Sequence, residues 1–381
     1  MIPIISKLPQ TGTTIFTTMS ALAAELGAIN LSQGFPDYDC PAELKELVSH
    51  AMQQGHNQYA PMAGLMSLRE VIAAKTEKLY GGKYDPDTEI TITAGGTQAI
   101  YTAISTVINP NDEVIIFEPA YDAYAPAVRM MGGLVKSLQL EPPDYRINWE
   151  MVKRLITNRT RMIILNSPHN PTATILQKED IDQLISIISN RDIFILSDEV
   201  YEHLIFDNQT HHSMARYAEL RDRSFIIASL GKTFHVTGWK LGYCIAPAYL
   251  TKEFRKIHQF LVFSVNTPMQ FAAAEYLKNE EHYNYLPGFF QQKRDHFRAG
   301  LEQSRFKLLP CNGSYFQSAF YDAISDEKDT DFVIRLTKEF GVAAIPTSAF
   351  YSKGTDYKVI RFCFAKTQET LDKAVDRLIK V

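Results

Sequence analysis

The chain has 381 residues, 45% hydrophobic and 22% charged, with a formal net charge of −4 at pH 7. That length exceeds one typical core, and the ordinary composition points to a globular protein of two domains or one large α/β core with an appendage. The charge balance excludes an overall basic surface for nucleic acid or anionic membrane, so any attraction for phosphate has to be local.

The first residues, MIPIISKLPQTGTTIF, have no basic start followed by a sustained apolar core and do not read as a signal peptide. No run approaches the roughly 20 apolar residues that cross a bilayer. Cys40, Cys244, Cys311 and Cys363 are widely spaced with no CxxC, which points to a reducing compartment and away from structural zinc. A cytoplasmic protein without membrane or nucleic-acid partners is the expectation.

From about Glu89 to Pro247, short β-rich runs alternate with helical stretches: EITIT (89–93), EVIIF (113–117), MIILN (162–166), IFILS (193–197), FIIAS (225–229) and LGYCIA (241–246). Their nearly continuous apolar character is that of strands covered on both faces, with helices such as 97–108 and 177–189 between them. This predicts an α/β fold with a mostly parallel central sheet and helices on both faces. LGYCIA follows FIIAS too closely for a helical crossover, which predicts one antiparallel neighbour. Residues 251–301 read as helical, with a helix at 271–283 and a break at Pro287-Gly288. A strand near 315–321, a helix at 331–340, a strand at 359–365 and a final amphipathic helix complete the chain. The expected division is an N-terminal arm over 1–41, a large α/β domain over 42–279 and a small α+β domain over 280–381, partly joined by the arm.

Five features fall at or just beyond predicted strand ends, where open α/β sheets bind ligands. TAGGTQA (93–99) places Gly96 and Thr97 at a helix start whose free amides suit a phosphate. NSPHNPTA (166–173) is a rigid turn presenting Asn170. SDEVY (197–201) sets Asp198 after an apolar run, an awkward place for a carboxylate without a cation, with the Tyr201 hydroxyl close by. Ser229, Lys232 and Lys240 follow the strand FIIAS, where desolvation can hold an amine partly neutral and nucleophilic. Arg361 sits among apolar residues in VIRFCFA and offers a two-pronged carboxylate grip. Taken singly, each has a plainer reading: a turn, a strand-end acid, a solvated lysine, a structural ion pair. Together they form a phosphate cradle, a carboxylate for a ring nitrogen, donors for a phenolic oxygen, an aldehyde-trapping lysine and a carboxylate clamp. Pyridoxal 5′-phosphate carrying an amino acid requires that set of contacts.

Over essentially its full length the chain resembles the fold type I, class I/II pyridoxal-phosphate-dependent aminotransferases. Within them it is most similar to the bacterial methionine aminotransferase and kynurenine–glutamine aminotransferase subgroup. The likeness rests on INLSQGFPDY (29–38), NQYAPMAG (57–64), EPAYDAY (118–124), NSPHNPTAT (166–174), SDEVYEH (197–203), SLGKTFHVTGWKLGY (229–243) and FSVNTP (263–268). The resemblance implies that Lys232 links to the cofactor and later shuttles the proton. It implies that Asp198 pairs with the pyridine nitrogen and that Asn170 and Tyr201 bond the ring oxygen. Gly96, Thr97, Ser229 and Lys240 would hold the phosphate, and Tyr121 would stack on the ring. Arg361 would clamp the substrate carboxylate with Asn170 and the Gly34 backbone. Tyr59 would reach into a neighbouring subunit's site, which implies a homodimer with shared active sites. Lys240 stands where many of these enzymes carry arginine, a substitution that the subgroup shares.

The implied reaction is ping-pong transamination between an amino acid and a 2-oxo acid. Phe16, Tyr59 and Tyr121, with no second arginine evident, favour methionine, phenylalanine, histidine, glutamine or kynurenine over aspartate. A β-eliminating C–S lyase on the same residues is the alternative. A non-catalytic cofactor-binding regulator is more remote, because the N-terminus has no basic helix-turn-helix pattern.

Overall fold

The computed structural model describes residues 2–9 and 11–381. Its centre is a seven-stranded sheet in the spatial order Ile90–Thr93, Gly242–Ile245, Ser224–Ser229, Phe194–Asp198, Thr160–Asn166, Glu113–Glu118, Leu134–Gln139. Gly242–Ile245 is antiparallel to both of its neighbours, and the remaining pairings are parallel. The single reversed strand therefore lies inside the sheet.

Successive residues of a strand point to opposite faces, and here both faces are covered. Ile163, Leu165 and Ile195 enter one apolar cluster with Leu68, Ile72, Ile181 and Leu184 of the helices Met66–Tyr80 and Lys178–Ile188. Met162, Ile164 and Leu196 enter the other, with Ala99, Ile100 and Ala103 of the helix Gly95–Val107. That double burial is why these runs read as almost continuously apolar. Leu134–Gln139 was not among the expected strands. It is one edge of the sheet, and none of its residues is fully buried.

The C-terminal residues build a four-stranded antiparallel sheet ordered Ile345–Pro346, Val359–Cys363, Phe316–Phe320, Lys307–Leu308. Ile29–Asn30 pairs in parallel with Val342–Ala343, so the N-terminal segment is bound to this part of the chain. Two expectations fail locally. The helix expected over 271–283 ends at Tyr276, and a separate short turn of helix occupies Glu281–Asn284. Pro287-Gly288 is not a break but lies in the first turn of the helix Leu286–Leu301, where proline's missing N–H costs no hydrogen bond.

Candidate active site

The parallel strands end together on one side of the sheet, and Asn166 and Asp198 stand side by side as the last residues of neighbouring strands. Ser229 ends the next strand, and the one-turn helix Leu230–Thr233 after it carries Lys232. A cavity of about 190 Å³ opens there, lined by Gly96, Thr97, Asp198, Ser229, Lys232 and Lys240 among others. It adjoins a second of about 200 Å³ that contains Phe16, Gly34, Phe35, Phe316 and Arg361. Tyr121, Asn170, Tyr201 and Lys232 border both. Every residue singled out in the sequence lines one of the two cavities except Tyr59. A larger cleft of about 570 Å³ behind Tyr124 and Asn166 holds none of them.

Lys232 Nζ donates to the Gly34 carbonyl at 3.1 Å and lies near the Tyr201 and Tyr315 rings. Burial pushes its ammonium down to about 8, so a usable fraction of free amine exists near neutrality. Asp198 is 3% exposed. Among the described residues it has no cation within ion-pair distance, which leaves unmet the cation that its position led us to expect. Its hydrogen bonds come from Tyr124 Oη at 2.5 Å and from the Val200 amide at 3.4 Å. Burial pushes the carboxyl up to about 6, while the Tyr124 hydroxyl opposes that rise.

Arg361 is fully buried with the face of Phe316 3.9 Å from its guanidinium carbon. It donates to Asn170 Oδ1 at 2.6 Å and to the Ser32 carbonyl at 3.0 Å, and its Nε has no partner. Among the described residues no carboxylate lies within ion-pair distance of it, and burial pushes it down to about 10, with only the more distant Asp122 opposing among carboxylates. The structural ion pair that would explain this arginine plainly is therefore absent among them. Gly34 is required where it stands, since a Cβ there would come within 2.9 Å of the Phe316 ring.

At the opposite end, the helix Gly95–Val107 begins without a side-chain cap, which leaves amides free for an anion. Gly95 has φ +79°, and a Cβ placed on it would lie 3.6 Å from Lys240 Nζ. The lysine amine thus overhangs the helix start. Thr97 Oγ1 and Tyr121 Oη are 3.2 Å apart across the cavity mouth. Tyr59 is 79% exposed, packed edge-on against Phe263 and outside the linings of both cavities.

An orphaned buried carboxylate, an uncapped helix start beneath a lysine, and a desolvated amine between them fit pyridoxal phosphate in charge and order. Asp198 suits a protonated ring nitrogen, the helix start with Ser229 and Lys240 suits the phosphate, and Lys232 suits an aldehyde. The sequence reading missed Tyr124, Tyr315 and Thr237 as cavity or supporting residues. Tyr124 had a visible signal, the Tyr121–Tyr124 spacing in EPAYDAY.

Residues 27–378 match the family model for aminotransferases of class I and II. The chain belongs to the class I and II aminotransferases. This aminotransferase is 52% identical to the methionine aminotransferase of Escherichia coli K12 over 98% of its own length and 97% of the relative's. It is 32% identical to the kynurenine–oxoglutarate transaminase of Dictyostelium discoideum, covering 97% and 94% of the two chains. The crystal structure that identified a methionine aminotransferase function in E. coli superposes with a TM-score of 0.98, 52% identity and full coverage of both chains. The N-succinyldiaminopimelate aminotransferase of Mycobacterium tuberculosis superposes at 0.95, with 37% identity over 99% of this chain and 100% of the other. These neighbours share fold type I. The relatives named here are transaminases, which does not favour the lyase alternative. Among the described residues no helix is long and apolar enough to cross a membrane.

Proposed function

We propose that this aminotransferase holds pyridoxal 5′-phosphate through Lys232 and moves the amino group of methionine to a 2-oxo acid by a ping-pong route. The observation that carries the substrate class is Arg361, buried beside an aromatic pocket without an ion-pair partner among the described residues. Among the described residues, the cations lining that pocket are Arg361 and Lys232. Such a site takes an α-carboxylate with an uncharged side chain, and the 52% identical E. coli relative puts methionine first. Phenylalanine, histidine, glutamine and kynurenine have the same general character.

When bound, the cofactor supplies an aldehyde for the amino group and a ring that draws electrons from the substrate's Cα–H bond. Arg361 and Asn170 fix the substrate carboxylate, which orients the Cα–H bond toward Lys232. Lys232, as free amine, takes the Cα proton and holds it for return. Asp198, kept ionised by Tyr124, and Asn170 and Tyr201 at the ring oxygen hold the ring in place. Gly96, Thr97, Ser229 and Lys240 grip the phosphate, and Tyr121 covers the ring face.

The test is the absorbance spectrum of the purified protein before and after methionine is added without oxo acid. Loss of the lysine-linked cofactor band with growth of a pyridoxamine band supports the reading. An unchanged band excludes methionine, and no cofactor band even after adding pyridoxal phosphate overturns the proposal.

Arg361→Lys is expected to raise KM for methionine by roughly 30-fold or more, with a smaller change in kcat, because a point charge replaces a two-pronged grip. Steady-state kinetics check this. Tyr124→Phe is expected to lower kcat about ten-fold by removing one charge-assisted hydrogen bond. Because that bond holds the Asp198 carboxyl down, its loss moves the acid limb of the pH–rate profile to higher pH.

We further propose a homodimer in which Tyr59 completes the partner's pocket. Supporting this, Tyr59, Phe260 and Phe263 are respectively 79%, 87% and 53% exposed. Lys232→Ala and Tyr59→Ala proteins, each impaired, should regain activity when refolded together, since mixed dimers contain one intact site; no recovery would argue against shared sites. The separate seven- and four-stranded sheets support a division into an arm (1–41), a large domain (42–279) and a small domain (280–381). Four free cysteines, three of them buried, are in keeping with a cytoplasmic setting.

A further inference from the structure

The turn that carries Asp198 and Tyr201 is held from the side away from the cavity. The Glu202 amide donates to the Glu199 carbonyl at 2.9 Å and closes the turn. Asp198, Val200 and Tyr201 line the cavity, and Glu202 does not. Instead its carboxylate accepts from Lys75 Nζ at 2.6 Å, Tyr80 Oη at 2.6 Å and Tyr243 Oη at 2.9 Å. The side chains of Lys75 and Glu202 are only 2% and 6% exposed. Lys75 also contacts His203 Nε2 at 3.1 Å. Burial and the Lys75 charge keep that imidazole neutral, pushed down to about 3.

Lys75 and Tyr80 belong to the helix Met66–Tyr80, and Tyr243 to the strand Gly242–Ile245 that follows Lys240. One carboxylate therefore ties the Asp198–Tyr201 turn both to that helix and to the segment leaving Lys240. A buried ion pair of this kind contributes little net stability, since desolvation of two charges offsets their attraction. What three directed bonds to one carboxylate supply is a fixed position in a dry interior.

We propose that Glu202, anchored by Lys75, Tyr80 and Tyr243, is a positioning residue that sets Asp198 and Tyr201 against the bound cofactor. The proposal rests on the reading of the cavity as a pyridoxal phosphate site. Glu202 touches neither substrate nor cofactor, so its effect runs through the two residues that do. A displacement of about 1 Å at such groups is enough to cost orders of magnitude in rate.

The test compares the wild type with Glu202→Gln and with the apolar double variant Lys75→Met/Glu202→Leu. Melting temperature, pyridoxal phosphate affinity by equilibrium dialysis, and the half-reaction rate with methionine are measured for each. Glu202→Gln leaves the Lys75 charge unbalanced and should lower the melting temperature. The double variant removes both charges and should recover part of it, since the buried Tyr80 and Tyr243 hydroxyls still lose their acceptor. The expected result is a double variant more stable than Glu202→Gln that nonetheless binds pyridoxal phosphate about ten-fold more weakly than wild type and reacts about ten-fold more slowly. Affinity and rate within about two-fold of wild type in the double variant would show a merely structural pair and overturn the proposal. Should the double variant not fold, Tyr243→Phe decides, because it keeps the ion pair and removes one anchor. An affinity about three-fold weaker, measured well below the variant's own melting transition, supports the proposal, and wild-type affinity overturns it. A wild-type protein that binds no pyridoxal phosphate overturns the cofactor reading itself, and this proposal with it.

Discussion

Lys232→Ala is expected to lower the half-reaction with methionine by about 10⁴-fold, the upper range for a positioned proton-transfer group, because it removes the covalent link as well. Burial holds this amine near 8, and its present hydrogen bond is only to the Gly34 carbonyl. Among the described residues lining the cavity, the one other amine is Lys240 Nζ, which overhangs the start of the helix Gly95–Val107 at the phosphate end. Stopped-flow absorbance separates the outcomes, since the variant can still bind pyridoxal phosphate through Ser229, Lys240 and Asp198. Retention of more than about one-hundredth of the wild-type rate would remove Lys232 from the proton-transfer role.

Asp198→Asn is expected to cut kcat by about 10²–10³-fold, with a much smaller change in carboxylate binding, because it removes charge stabilisation that develops along the reaction path. Near-wild-type turnover would end that assignment. The same substitution has an opposite effect on the cofactor-free protein. The folded carboxyl titrates near 6 against an ordinary value of 3.8, so below about pH 4 it is protonated in both states and costs nothing. Between about pH 4 and 6 the unfolded chain releases its proton more readily, and the native state loses stability as pH rises. Above 6 the full cost of about 3 kcal/mol persists. The asparagine variant escapes it. Its cofactor-free form should therefore be more stable than wild type at neutral pH, with the advantage fading toward pH 4. Thermal melts across that range check the sign. Equal melting curves at pH 7 would mean that the buried carboxylate is relieved by something beyond the Tyr124 bond.

Site residues were legible in the chain where their signal is local, and their partners, far apart in sequence, were not. Lys232, Asp198 and Asn170 were legible because each follows an apolar strand run, and parallel strand ends converge by construction. The partners were not. Tyr124 is 74 residues from Asp198, Asn170 is 191 from Arg361, and Ser32 is 329 from it. No local pattern states such pairings. The edge strand Leu134–Gln139 escaped for a related reason: its mixed, only partly covered residues reflect its place at the rim, which strand order sets and composition does not. Pro287-Gly288 misled because proline breaks a helix interior but suits its first turn, and the register of the helix decides which it is.

By itself the sequence determined the α/β class, the strand ends that bear chemistry and the residue types there, since these follow from local periodicity and the chemistry of side chains. Only the tertiary structure decided what surrounds each charge. Among the described residues, Asp198 lies under a tyrosine hydroxyl with no cation at ion-pair distance, Arg361 lies between aromatic faces with no carboxylate at that distance, and Glu202 lies buried behind the site with Lys75. Solvation and electrostatics depend on every atom within a few ångströms, and those atoms come from segments far apart in the chain.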